Sequence, residues 1–222
     1  MPVWYDPPLA AFSTEVNRIR QRLSQIDSAA LVDMRSRIVA YETRAFSYVW
    51  LSACLEENVG KVLTALLDHM NTLALQTDRL KPGLLCMLLH PALDSVRDLR
   101  DHEKMWNGRC DLFDSSHSTD TAVFNTAVLP LNQKTLRPSH LYVIWRVFSF
   151  PGLPFPNPPD SLALTDLAEG RNAVAHGHIP PSDFGRTKVT LDVQRLTVRI
   201  EDIFTHLIDT ADNYLASKRF YR

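Results

Sequence analysis

The stretch "RNAVAHGH", residues 171–178, sets Arg171, Asn172, His176 and His178 at the end of an apolar helical pattern. A guanidinium is a planar fork of hydrogen-bond donors that fits a phosphate. An imidazole exchanges a proton near neutrality and suits general acid–base work. Together the two would hold a phosphate and move a proton beside it. The ordinary alternative is a helix end with polar decoration, in which the histidine caps the last turn and the asparagine bonds backbone. The combination of residues is more informative than any one of them.

On an ideal helix Leu164, Leu167, Ala168, Val174 and Ala175 share one side, and Arg171 falls in the middle of that stripe. An arginine there is costly unless it is paired or the face opens on a cleft. Asn172 and His176 are four apart and so are neighbours on an adjacent face. Arg171 and His176 are five apart, about 140° around a helix of about 3.6 residues per turn. One chain therefore makes a poor site from them, unless the long guanidinium arm and an end loosened at Gly177 turn both toward one groove. His176 lies where exposed carbonyls favour a cation.

The elements that must position these residues read as helices throughout. An amphipathic helix runs from Leu9 to about Asp27, and residues 34–76 carry apolar residues at helical spacing with no proline and one glycine, Gly60. That length fits one long kinked helix or two. A further helix begins after Pro82 and fades near Glu103. Residues 107–128, rich in Ser, Thr, Asp and Asn, read as a long loop. "LRPSHLYVIWRVFSF" is a short apolar helix, and five prolines in residues 151–159 make residues 150–160 a stiff connector. The motif helix covers 161–178, ended by Gly177 with Pro180-Pro181 beyond it. An irregular or hairpin-like segment leads through Lys188 to a last helix with Thr190 or Asp192 as N-cap, whose stripe runs from Val193 to Leu215. The expected fold is all-α: one domain over 1–222, an antiparallel helical bundle with a long central helix, a loop-rich middle and an N-terminal helical extension over 1–35.

The motif and the order of these elements resemble the HEPN superfamily. Arg171-Asn172, three residues, then His176-Gly177 looks like its Arg-x4–6-His signature. The long helix with an acidic residue at its middle ("WLSACLEENVGKVL"), the short helix, the Arg–His helix and the final amphipathic helix match in sequence, over roughly residues 40–215. The resemblance implies a metal-independent endoribonuclease, often a toxin or antiphage defence effector, needing no cofactor. It implies a homodimer in which two Arg–His helix ends face one cleft, with RNA as substrate and an antitoxin or regulatory protein as a possible further partner. Carried over, Arg171 binds the scissile phosphate, His176 is general base or acid as the ribose 2′-hydroxyl attacks, and Asn172 orients substrate or His176. Glu56 interrupts an apolar line of the long helix and is a candidate support for the Arg171 guanidinium, against the alternative of a solvated edge. Glu57 reads as a solvated partner of Lys61.

Other chemistry has less behind it. His176 and His178, and the run Asp101-His102-Glu103, are potential metal ligands, but no cysteine pair accompanies them and no metal is expected. No GxGxxG, P-loop or GxSxG is present. Arg186 and Lys188 offer a weak basic path for RNA, and "SKRFYR" mixes cations with aromatics as an RNA-stacking tail does, though a frayed terminus is the simpler reading. The net charge of −1 over 222 residues gives no global basic excess, so any RNA contact must be local. Cys54, Cys86 and Cys110 are odd in number and unpaired in spacing, which fits reduced thiols in a cytoplasmic protein. The first residues do not read as a signal peptide, and no run of about 18 apolar residues spans a membrane.

Overall fold

A computed structural model describes residues 3–28, 33–131 and 135–222 of the chain. Parts of the expected N-terminal extension, residues 1, 2 and 29–32, lie outside the described residues. The described residues form nine helices: α1 (Asp6–Ser28), α2 (Met34–Thr72), α3 (Pro82–Leu88), α4 (His90–Arg97), α5 (His102–Ser116), α6 (Pro138–Phe148), α7 (Asp160–Ala175), α8 (Pro181–Arg186) and α9 (Thr190–Ala216). They contain no strand, and none of these helices is long and apolar enough to cross a membrane.

The axis of the bundle is α2, a single helix of 39 residues and about 58 Å at 1.5 Å per residue. Asp33 opens it, accepting a hydrogen bond from the Ser36 backbone N–H at 2.7 Å. The Ser36 hydroxyl, which donates to the same carboxylate at 2.6 Å, and the Ser36 backbone N–H together hold the Asp33 carboxyl below its usual range. Gly60 does not break the helix, because packing on both sides of it fixes the backbone: Val59, Val62 and Leu63 are buried. Against α2 lie α1, α7, α8 and α9. Helix α1 supplies Phe12, Val16, Ile19 and Leu23 at helical spacing, all fully buried, and the Phe12 ring meets Phe204 of α9 at 4.2 Å. Each such side chain contributes about 1.5–3 kcal/mol by leaving water. The α9 stripe expected from sequence is buried from Val193 to Tyr214.

Two close approaches set α7 and α8 onto α2. Gly170 of α7 sits against the Tyr48 ring, and Gly185 of α8 sits against the Tyr41 carbonyl, where any Cβ would overlap backbone. Because backbone of a central helix cannot step aside, Gly185→Ala is expected to cost roughly 2 kcal/mol. A thermal melt would then fall by about 6 °C; an unchanged melt would show that α8 docks less tightly than this. The α7–α2 contact is also polar: Tyr48 donates to Asp166 at 2.9 Å, and Lys188 Nζ reaches the same carboxylate at 3.1 Å. Burial and the neighbouring Asp166 carboxylate push the Tyr48 hydroxyl well above its ordinary range, so it remains a donor.

Several sequence expectations are corrected. Residues 107–116 are not loop but the body of α5, which starts on an Asp101 N-cap accepting from Lys104 N at 2.9 Å. Gly108, read as a loop residue, lets α5 approach Val96 of α4. The loop proper begins after Ser116, and it is zipped to residues 75–78 through Thr77 N–H to Asp120 O (3.1 Å) and Ala122 N–H to Leu75 O (2.7 Å). The helix expected from Pro82 to Glu103 divides into α3 and α4, with Leu89 between them in a non-helical conformation and Pro91 starting the second. The segment before Lys188 contains α8, which uses Pro181 as a first-turn residue. Val189, not Thr190 or Asp192, precedes α9, and Thr190 Oγ1 instead accepts from Arg44 Nε at 2.9 Å. The carboxyl terminus is not frayed: Phe220 is buried beside Tyr214, and the Arg222 side chain donates to Leu80 O at 2.8 Å.

Candidate active site

Helix α7 ends one residue before the histidine. His176 is its C-cap, with φ −91° and ψ 3°, and its backbone N–H still reaches Asn172 O. Gly177 follows at φ +69°, a left-handed conformation that favours glycine. Its N–H bonds Val174 O at 3.2 Å, and Ile179 N–H bonds Ala173 O at 3.2 Å. The chain therefore turns sharply just where the histidine stands.

That turn overrides the ideal-helix separation. Arg171 Nη1 lies 3.4 Å from His176 Nε2 within one chain, and donates to Asn172 Oδ1 at 3.1 Å. A second copy is not needed to bring the arginine and the histidine together, contrary to the expectation from spacing alone. A guanidinium has donors only, so this contact is a hydrogen bond when Nε2 carries a lone pair and the ring proton is on Nδ1. The distance of 3.4 Å is long for such a bond and leaves Nε2 available to other groups. Both imidazoles of the motif are exposed, while Arg171 and Asn172 are half-buried. Val174 remains in the core, but Ala175 is exposed, so the apolar stripe ends one residue earlier than periodicity suggests.

Among the described residues no carboxylate pairs with Arg171; its partners are Asn172 and His176. Among the described residues its other N–H donors make no hydrogen bond, and the helix end beside it is exposed, so the guanidinium has donors left to offer an anion. Glu56, expected to support the guanidinium, does not touch it. Glu56 Oε1 accepts from Ser52 Oγ at 2.8 Å and from the Leu136 backbone N–H at 3.2 Å. The reason lies in chain geometry: Leu136 precedes α6 and is 3% exposed, so its N–H has no helical partner and must find one elsewhere. Thr135, a residue that no motif singled out, donates from Oγ1 to Asn172 Oδ1 at 3.0 Å.

The remaining candidates separate from this cluster or sit at its edge. His178 places its ring 5.9 Å from that of His176, at 49°. Arg186 is exposed and pairs loosely with Asp183 at 3.7 Å. Lys188 is committed to Asp166 and lies over the Tyr48 and Phe184 rings at 5.1 and 5.2 Å, so it supports the fold rather than offering a free cation. Glu57 and Lys61 form an exposed pair at 2.6 Å. Cys54 is buried beside Asn58, and burial pushes its thiol up to about 11, which removes it as a nucleophile at neutral pH. Among the described residues no three His, Cys, Asp or Glu side chains gather as a metal-binding set.

The arrangement pairs a guanidinium that no carboxylate among the described residues neutralises with an exposed imidazole on a helix end, braced by one amide. It can grip a phosphate oxygen and exchange a proton with a group beside that phosphate. Comparison of the chain with protein-family models, with curated proteins and with solved structures yields no match.

Proposed function

We propose that the chain is a metal-independent endoribonuclease of the HEPN type. The observation that carries this reading is the approach of Arg171 Nη1 to His176 Nε2, 3.4 Å, at an exposed helix end where no carboxylate among the described residues pairs with the arginine. In the proposed reaction the Arg171 fork holds the non-bridging oxygens of a phosphodiester and balances the charge that grows on them. His176 Nε2 takes the proton of the adjacent ribose 2′-hydroxyl. The 2′-oxygen bonds to phosphorus, the bond from phosphorus to the 5′-oxygen breaks, and that leaving oxygen takes a proton from water while His176 returns its own to solvent. The products are a 2′,3′-cyclic phosphate and a 5′-hydroxyl. The nucleophile belongs to the substrate, so the protein supplies position, charge and a proton acceptor.

Action as a homodimer, as a toxin or antiphage defence effector, and restraint by an antitoxin or regulatory protein belong to this proposal and rest on the resemblance of the motif. A second copy would present a second Arg–His pair to the same RNA, rather than complete a split one. The test is incubation of purified protein with total RNA in EDTA. Fragmentation by the wild type is expected. RNA that stays intact yet is retarded by the protein would instead favour a non-catalytic helical module that binds RNA on the same surface.

A further inference from the structure

We infer that Thr135 is a positioning residue of this site, locking the Asn172 side-chain amide so that Arg171 keeps one orientation toward its anion. The catalytic consequence rests on the ribonuclease reading; the effect on anion binding does not.

The Asn172 carbonyl oxygen receives two donors, Arg171 Nη1 at 3.1 Å and Thr135 Oγ1 at 3.0 Å. An asparagine amide can flip, exchanging its oxygen for its NH2, and a flipped amide would turn donors toward a guanidinium that has only donors. Two bonds to one oxygen oppose that flip, and only one of them comes from the arginine itself. With no carboxylate beside Arg171 among the described residues, this oxygen is the chief restraint on where the guanidinium plane lies. The amide NH2 is left as a further donor at the same helix end.

Thr135 is itself held. It is 8% exposed, and the next peptide donates its N–H to Glu56 Oε1 at 3.2 Å. Glu56 takes a second bond from Ser52 Oγ at 2.8 Å, and Ser52 is 2% exposed on α2. A chain of hydrogen bonds thus runs from the middle of α2, through residues 135 and 136, to the end of α7. Glu56 supports Arg171 by way of this chain rather than by contact.

The test compares Thr135→Val, which removes the hydroxyl at nearly constant shape, with Thr135→Ser, which keeps it. Two quantities are measured: kcat/KM on a single-stranded RNA, and the Kd of the all-2′-deoxy oligonucleotide of the same sequence, which lacks the attacking hydroxyl. The valine variant is expected to lose about tenfold in kcat/KM and threefold in affinity, with serine within twofold of wild type on both. In an Asn172→Ala background the valine substitution should change neither quantity further, since its route to the arginine is already cut. Valine kinetics and affinity equal to wild type would overturn the inference. So would losses that persist undiminished without Asn172, or a serine variant as impaired as valine. Should the wild type fail to cut RNA, the ribonuclease reading falls, and the affinities for the deoxy oligonucleotide alone decide the role of Thr135.

Discussion

His176→Ala is expected to lower the rate of RNA cleavage by about 10³-fold, within the range seen when a general acid or base is removed. The imidazole is exposed, and among the described residues its hydrogen-bond and ring contacts are with Arg171 and His178. Its loss leaves no cavity and no stranded buried donor, so stability should change by less than about 0.5 kcal/mol. The helix end is fixed by backbone bonds from Gly177 and Ile179, which the substitution does not touch. An inactive variant with an unchanged melt would therefore assign the loss to chemistry. A variant that cuts at the wild-type rate would remove His176 from the mechanism, since no other exposed base touches Arg171 among the described residues.

Arg171→Ala comes next in size, with an expected loss of about 10²–10³-fold, the scale of removing one donor group from a developing oxyanion. Arg171→Lys keeps the charge but not the planar fork, and it cannot both hold Asn172 Oδ1 and grip two phosphate oxygens. It should regain no more than about tenfold over alanine. The loss should fall chiefly on kcat if the guanidinium answers charge that grows in the transition state, and on KM if it only docks the ground-state phosphate. The alanine variant also frees Asn172 Oδ1 from one of its two donors, so its melt reports on the brace described above. Steady-state kinetics on one defined RNA separate these outcomes, and equal kcat for wild type and both variants would contradict a role for Arg171 in the chemical step.

Much of the fold is legible in the residues because burial is periodic. The α9 stripe and the long α2 declare themselves by apolar spacing, and the end of α7 by Gly177 and the proline pair beyond it. What escapes reading is structure that does not bury a face. Helix α5 contains no buried residue and is full of Asp, Ser and Asn, so its composition imitates a loop. Helix α8 is six residues long and is held by a glycine against backbone, a contact that no side-chain pattern reports.

The site divides in the same way. Arg171, Asn172 and His176 stand out by type and spacing, but their mutual distance does not follow from ideal geometry, because the helix stops at Ala175 and His176 turns with the cap. Glu56 stands out as an acid in an apolar line; Ser52, four residues before it, is one of its two partners, but the other is a backbone N–H eighty residues away in sequence, which periodicity on one helix cannot supply. Thr135 carries no signal at all, since a threonine before a helix is ordinary and its importance lies in which amide it meets. Lys188 misleads in the opposite sense: a cation near the motif that tertiary packing has already engaged with Asp166.

In the proposed mechanism the substrate's own 2′-hydroxyl is the nucleophile, held between Arg171 and His176. The ends of the cut RNA report which oxygen attacked. A defined oligoribonucleotide is digested in EDTA, its fragments are weighed by mass spectrometry, and the same oligonucleotide with one 2′-deoxyribose at the cut position is treated in parallel. The expected result is a 2′,3′-cyclic phosphate on one fragment and a 5′-hydroxyl on the other, with the deoxy substrate uncut at that position. Fragments bearing a 5′-phosphate, or cleavage at the deoxyribose, would show that water rather than the ribose attacks, and would contradict the mechanism.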